Sequence, residues 1–76
     1  MIKILVVEDE EKLNKSVCRF LRDNGYDPVP CLKADEALDV MSEQMIDMII
    51  SDVMMPGMDG FEFADAVRKL DEKIPI

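Results

Sequence analysis

Histidine is absent from the 76 residues, and cysteine occurs only at Cys18 and Cys31. With no histidine and no C-x-x-C pair, the donor set of a zinc site is not there. The two cysteines read as free thiols of a reducing compartment in preference to a disulfide. Long apolar runs are also lacking. No segment approaches the ~18 apolar residues of a membrane helix. The short apolar run at the N-terminus is wrongly flanked for a signal peptide. These two absences lead to the expectation of a cytoplasmic protein with no membrane partner. Cations are scarce, with 9 Lys and Arg against 17 Asp and Glu and a net charge of -8. Such a surface is a poor match for the phosphates of nucleic acid or an anionic membrane face. It suits divalent cations and basic patches on partner proteins.

What is present is the composition of one small globular domain, 49% hydrophobic and 34% charged. Ile2 to Val7 is apolar apart from Lys3, as in a strand buried on both faces of a parallel sheet. Leu13, Val17, Phe20 and Leu21 follow at helical spacing and predict an inward apolar face. Acids crowd the start of this helix and bases its later turns, which suits the helix dipole. Asn24-Gly25 predicts its end, with Gly25 left-handed at the C′ position. Tyr26 to Cys31 reads as a weak strand, and Pro28 and Pro30 confine it to a sheet edge.

Ala34 to Glu43 reads as a second helix with Ala37, Leu38 and Met41 on one face. Ile46 to Ser51 is a third apolar strand, followed by the turn signals Pro56-Gly57 and Asp59-Gly60. Phe61 to Leu70 is a third helix, with Phe63, Ala64, Val67 and Leu70 expected inward. Lys73 to Ile76 resembles the first residues of a fourth strand. The order β-α-β-α-β-α-β implies an α/β fold, with parallel strands, right-handed crossovers and helices on both faces.

Acids stand after two of the apolar runs. Glu8-Asp9-Glu10-Glu11 follows the first, and Asp52 follows the third. Open α/β sheets place their chemistry outside the carboxyl ends of the strands. If the first and third strands are neighbours, Glu8, Asp9 and Asp52 converge. Two carboxylates ~4 Å apart repel by ~4 kcal/mol at an effective dielectric of ~20. A hard divalent cation relieves that repulsion, and oxygen-only donors with retained waters describe magnesium. The carbonyl of Met54 offers a further oxygen. Asp52 is then placed to attack phosphorus. Taken singly, the acidic run also fits a solvated helix N-terminus, and Asp52 a turn or cap. Met54, Met55 and Met58 also fit gap-filling roles.

The stretches Lys3-Ile4-Leu5-Val6-Val7-Glu8-Asp9-Glu10 and Asp52-Val53-Met54-Met55-Pro56-Gly57-Met58-Asp59-Gly60 together resemble the receiver domain of two-component response regulators. The D-x-M-x-P-x-x-D-G run is the more specific of the two. The resemblance implies a flavodoxin-like doubly wound sheet, here truncated after the third helix, with strand order 2-1-3 and a fourth-strand stub. It implies that Asp52 is the phosphoacceptor, taking its phosphoryl group from a phosphohistidine on a sensor histidine kinase. It implies Mg²⁺ held by Asp9, Asp52 and the Met54 carbonyl, with Glu8 contributing directly or through water.

The family pattern continues beyond these residues, with a Ser or Thr on the fourth strand and a Lys on the fifth. Residues 1–76 are therefore expected to be a partial receiver domain without its output domain. Acidic receivers of this type often precede a winged-helix DNA-binding domain and regulate transcription. The chain is expected to be no enzyme in itself, to be impaired in transfer and switching, and to self-associate through exposed edges. The alternative is a non-catalytic Mg²⁺-binding or self-associating module. A nucleotide-binding fold is disfavoured, since acids replace the glycines of a phosphate cradle after the first strand. A D-x-D phosphatase is disfavoured because its second Asp would fall on Met54.

Overall fold

A computed structural model describes residues 1–51 and 60–76, with the side chains of residues 60 and 61 excepted. Its elements are β1 (Lys3–Val7), α1 (Glu11–Asp23), β2 (Asp27–Cys31), α2 (Ala34–Glu43), β3 (Met48–Ser51) and α3 (Gly60–Leu70). The three strands form one sheet in the order β2-β1-β3, and both pairings are parallel.

β1 is central, which explains its nearly unbroken apolar sequence. Ile4 and Val6 face a cluster with Cys18 and Leu21 of α1. Leu5 and Val7 face the opposite cluster, with Ala34 and Ala37 of α2, Ile49 of β3, and Phe63 and Val67 of α3. The handedness rule accounts for this division. The β1-to-β2 and β2-to-β3 crossovers run in opposite directions across the sheet. If both are right-handed, their helices must lie on opposite faces.

β2 is an edge strand, as its prolines predict. Asp27 donates its N–H to Ile2 O (2.9 Å), and Cys31 O accepts from Glu8 N–H (3.1 Å). The odd residues of β2 therefore face β1. Pro28 and Pro30 stand at the alternate positions, where the missing donors would have pointed to the open edge.

The end of α1 forms a Schellman motif. Gly25 has φ +86°. Its N–H bonds Arg22 O (3.1 Å), and Tyr26 N–H bonds Leu21 O (3.0 Å). The predicted left-handed Gly25 is thus in place.

Two helical faces differ from expectation. In α1 the buried residues are Asn14, Cys18 and Leu21, whereas Leu13 and Phe20 are 45% and 67% exposed. Leu21 and Val17 do pack on the sheet side, but the buried face is turned towards Asn14 and Cys18, where Asn14 bonds backbone carbonyls. In α3, Phe63 and Val67 are buried as expected, but Leu70 is 54% exposed. Leu70 is the last helical residue. It lines a cavity of about 210 Å³ with Met41, Gln44, Met45, Ile46 and Asp71.

The segment 73–76 is not a regular strand, yet it follows β3. Ile49 donates its N–H to Pro75 O (2.9 Å), and Ile74 is buried. Arg68 Nη1 holds the approach, donating to Ile74 O (2.5 Å) and Glu72 O (3.3 Å). Among the described residues, no helix is long and apolar enough to cross a membrane.

Candidate functional site: the acidic loop at the end of the central strand

The three strands end level with one another. Val7 is the register partner of Cys31 on one side and of Ser51 on the other. The adjacency of the first and third strands that the acids require is therefore met. Glu8 and Asp9 follow directly from Val7, and Ser51 is the last residue of β3. Asp52 and Met54 lie outside the described residues.

The loop from Glu8 to Glu10 is short because α1 begins at Glu11. Glu8 is half-buried, and Asp9 and Glu10 are exposed. Glu10 occupies the N-cap position without a side-chain cap. Instead, its own N–H reaches Glu8 Oε2 at 3.4 Å. Four consecutive acids gather at this helix start, where the positive end of the helix dipole favours negative charge.

Asn14 organises the base of the loop, a role the sequence reading missed. It is 1% exposed. Its Nδ2 lies 3.3 Å from Val6 O, 3.1 Å from Glu8 O and 3.0 Å from Cys31 O. Cys18 Sγ donates to Asn14 Oδ1 at 3.3 Å. Three carbonyl acceptors on one side and a thiol donor on the other fix the orientation of the amide. The signal available in sequence was a polar residue at 14 in register with Cys18 and Leu21, one position outside the chosen apolar stripe.

The donor set at the loop is carboxylate oxygen only. That chemistry fits magnesium, which takes hard oxygen ligands and keeps several waters. Among the described residues, no group of three or more His, Cys, Asp and Glu could hold a metal. Glu8 and Asp9 are the two expected ligands that the structure describes. Cys18 and Cys31 are buried free thiols. Burial first, then the Glu36 carboxylate and Cys18, pushes the Cys31 thiol up to about 11. Burial also raises Cys18, partly opposed by Arg22. Burial thus favours the protonated form of both thiols.

The chain is similar in sequence and architecture to response regulators. Residues 4–76 match the family model of the response regulator receiver domain. The phosphate regulon transcriptional regulatory protein PhoB of Escherichia coli (strain K12) is 36% identical over 76 residues, covering 97% of this chain and 33% of PhoB. The response regulator MprA of Mycolicibacterium vanbaalenii is 36% identical over 75 residues, covering 99% of this chain and 32% of MprA. The chain thus spans about a third of the length of the curated relatives it matches.

Among solved structures, the chemotaxis response regulator CheY4 of Vibrio cholerae superimposes with a TM-score of 0.94 at 40% identity, covering 100% of this chain and 65% of that one. The response regulator TrrA of Thermotoga maritima, solved in complex with Mg²⁺-BeF, gives 0.89 at 33% identity, covering 95% and 63%. The parallel 2-1-3 sheet with helices on both faces is the flavodoxin-like fold of these receivers. Its sequence, strand order and structural relatives together make this chain a member of the response regulator receiver domain family.

Proposed function

We propose that the chain is the phosphoacceptor part of a response regulator, with Asp52 as the residue that is phosphorylated. A carboxylate oxygen of Asp52 attacks the phosphorus of a phosphohistidine on a sensor histidine kinase. The P–N bond breaks, the imidazole leaves with the bonding pair and takes up a proton, and Asp52 becomes an acyl phosphate. Glu8, Asp9, Asp52 and the Met54 carbonyl are the proposed Mg²⁺ ligands. Bound there, the ion would offset repulsion between the carboxylates and the phosphoryl oxygens.

The observation that carries this reading is the pairing of Val7 with Ser51. It sets Ser51, the residue before Asp52, level with Val7, the residue before Glu8. One structural relative lends the reading support. TrrA has been captured with Mg²⁺-BeF and also in complex with the histidine kinase ThkA. By analogy with PhoB, the whole protein acts in transcription from the cytoplasm, the receiver serving as a switch and not as an enzyme.

A small phosphodonor such as acetyl phosphate, supplied with Mg²⁺, tests the reading by intact mass. The expected result is one added phosphate on the protein and none on Asp52→Asn. Phosphate retained in Asp52→Asn would overturn the assignment.

A second reading concerns the 76-residue chain by itself. The exposure of Leu13 and Phe20 on α1 favours self-association.

A further inference from the structure

We infer that Asn14 is a positioning residue for the acidic loop, holding Glu8 and Asp9 in the arrangement that receives a divalent cation. The inference rests on the reading of those two residues as cation ligands and deepens it.

The argument starts from what Asn14 replaces. A buried position in an amphipathic helix, in register with Cys18 and Leu21, ordinarily carries an apolar side chain. An asparagine there has a poorer helix propensity and an amide that must be satisfied. It is satisfied by three carbonyls at 3.0–3.3 Å, belonging to Val6, Glu8 and Cys31. These come from β1, from the loop after it, and from the end of β2. One side chain therefore ties α1 to two strand ends and to the loop between β1 and α1.

Glu8 is held at both of its backbone groups. Its N–H bonds Cys31 O at 3.1 Å, and its C=O accepts from Asn14 at 3.1 Å. With the peptide on each side fixed, the Cα–Cβ direction of Glu8 is set, and so is the path into Asp9. The Asn14 backbone adds a further tie, since its N–H bonds Glu10 O at 2.9 Å. The loop so held carries three acids in succession, Glu8, Asp9 and Glu10. Their mutual repulsion favours an open, splayed loop when no cation is bound. The clamp opposes that relaxation, so the ligands are arranged before the ion arrives. This is the part that outer-shell hydrogen bonds play in metal sites, where their loss typically weakens affinity by roughly 10- to 100-fold.

The test uses Mg²⁺ alone as the probe, with the ¹⁵N-labelled chain followed by NMR. Wild type, Asn14→Ala, Asn14→Leu and Asp9→Asn are titrated, and circular dichroism checks that each is folded. Wild type is expected to bind, with Asn14→Ala and Asn14→Leu roughly 10-fold weaker at unchanged helix content. Asn14→Leu matters because it keeps a branched side chain at this buried position without restoring the donor.

Folded Asn14 variants that bind Mg²⁺ as tightly as wild type would overturn the inference and leave the ligand reading intact. A wild type that does not bind Mg²⁺ would overturn both. If neither variant folds, the wild-type spectrum decides. The Asn14 side-chain amide protons should exchange far more slowly than those of the exposed Gln44, and they should shift on Mg²⁺ addition. Rapid exchange, or no shift, would refute the assignment.

Discussion

Lys3 and Asp47 grip each other at the start of the sheet. Lys3 donates its backbone N–H to Asp47 Oδ2 at 2.8 Å, and Asp47 returns its own N–H to Lys3 O at 2.9 Å. Lys3 Nζ also reaches Gln44 Oε1 at 3.1 Å. This contact sets the alignment of β3 against β1 just before Ile4 meets Met48. The same alignment, carried up the strands, brings Ser51 opposite Val7.

Asp47→Ala is therefore expected to lower unfolding stability by about 1–2 kcal/mol, the scale of one lost charge-assisted hydrogen bond at a solvent-accessible site. Urea unfolding checks this through the midpoint at unchanged slope. Asp47→Asn should lose less, because the amide oxygen still accepts from Lys3. An unchanged midpoint in Asp47→Ala would show that the contact does not stabilise the pairing.

Gly25 offers a cleaner backbone experiment. Its φ is +86°, and an added Cβ would meet nothing within 4 Å. Any cost of Gly25→Ala is then conformational and not steric, about 1–2 kcal/mol for an L-residue in the left-handed region. Gly25→Asn should cost less, since asparagine tolerates this region. Thermal melts of the two variants give the ranking, and equal melting temperatures would contradict the Schellman assignment.

Cys31 makes stability sensitive to alkaline pH. Its ordinary value is near 9, and burial, followed by the Glu36 carboxylate and Cys18, raises it to about 11 in the fold. Between these values the folded chain keeps the proton and the unfolded chain loses it. The unfolded state then binds fewer protons, so stability falls as pH rises. The contribution is fully present below pH 9 and is lost as pH passes through about 11. Unfolding free energies measured from pH 8 to 11 should decline, and Cys31→Ala should flatten that decline. A thiol reagent at pH 8 should label the folded chain much more slowly than the urea-unfolded chain.

Phe20 is the test of self-association. At 67% exposure it is a large apolar side chain facing water, with Leu13 two turns away on the same helix at 45%. Phe20→Glu should reduce the weight-average mass of the 76-residue chain at high micromolar concentration. Light scattering reads this directly. A wild-type monomer at that concentration would remove the proposal.

Much of the architecture was legible because its signals are local. Ala34–Glu43 forms a helix with the bounds its periodicity predicts. Pro28 and Pro30 announced an edge, and Gly25 the end of α1. Each follows from constraints on φ, on backbone donors or on residue spacing within a few residues. The acid-bearing motifs were legible in the same way, down to Asp52 as the candidate phosphoacceptor.

The rotation of α1 was decided only by the tertiary structure. Of the four residues expected inward, Leu21 is buried and Val17 packs beside it, whereas Leu13 and Phe20 face out and Asn14 and Cys18 are buried in their stead. The carbonyls of Val6, Glu8 and Cys31 come together only when β1 and β2 pair, and no local pattern announces them. Leu70 also departs from its helical spacing, being 54% exposed at the last position of α3. The acid-bearing motifs were thus visible in the sequence, whereas the hydrogen bonds of Asn14 to Val6, Glu8 and Cys31 depend on contacts between distant segments.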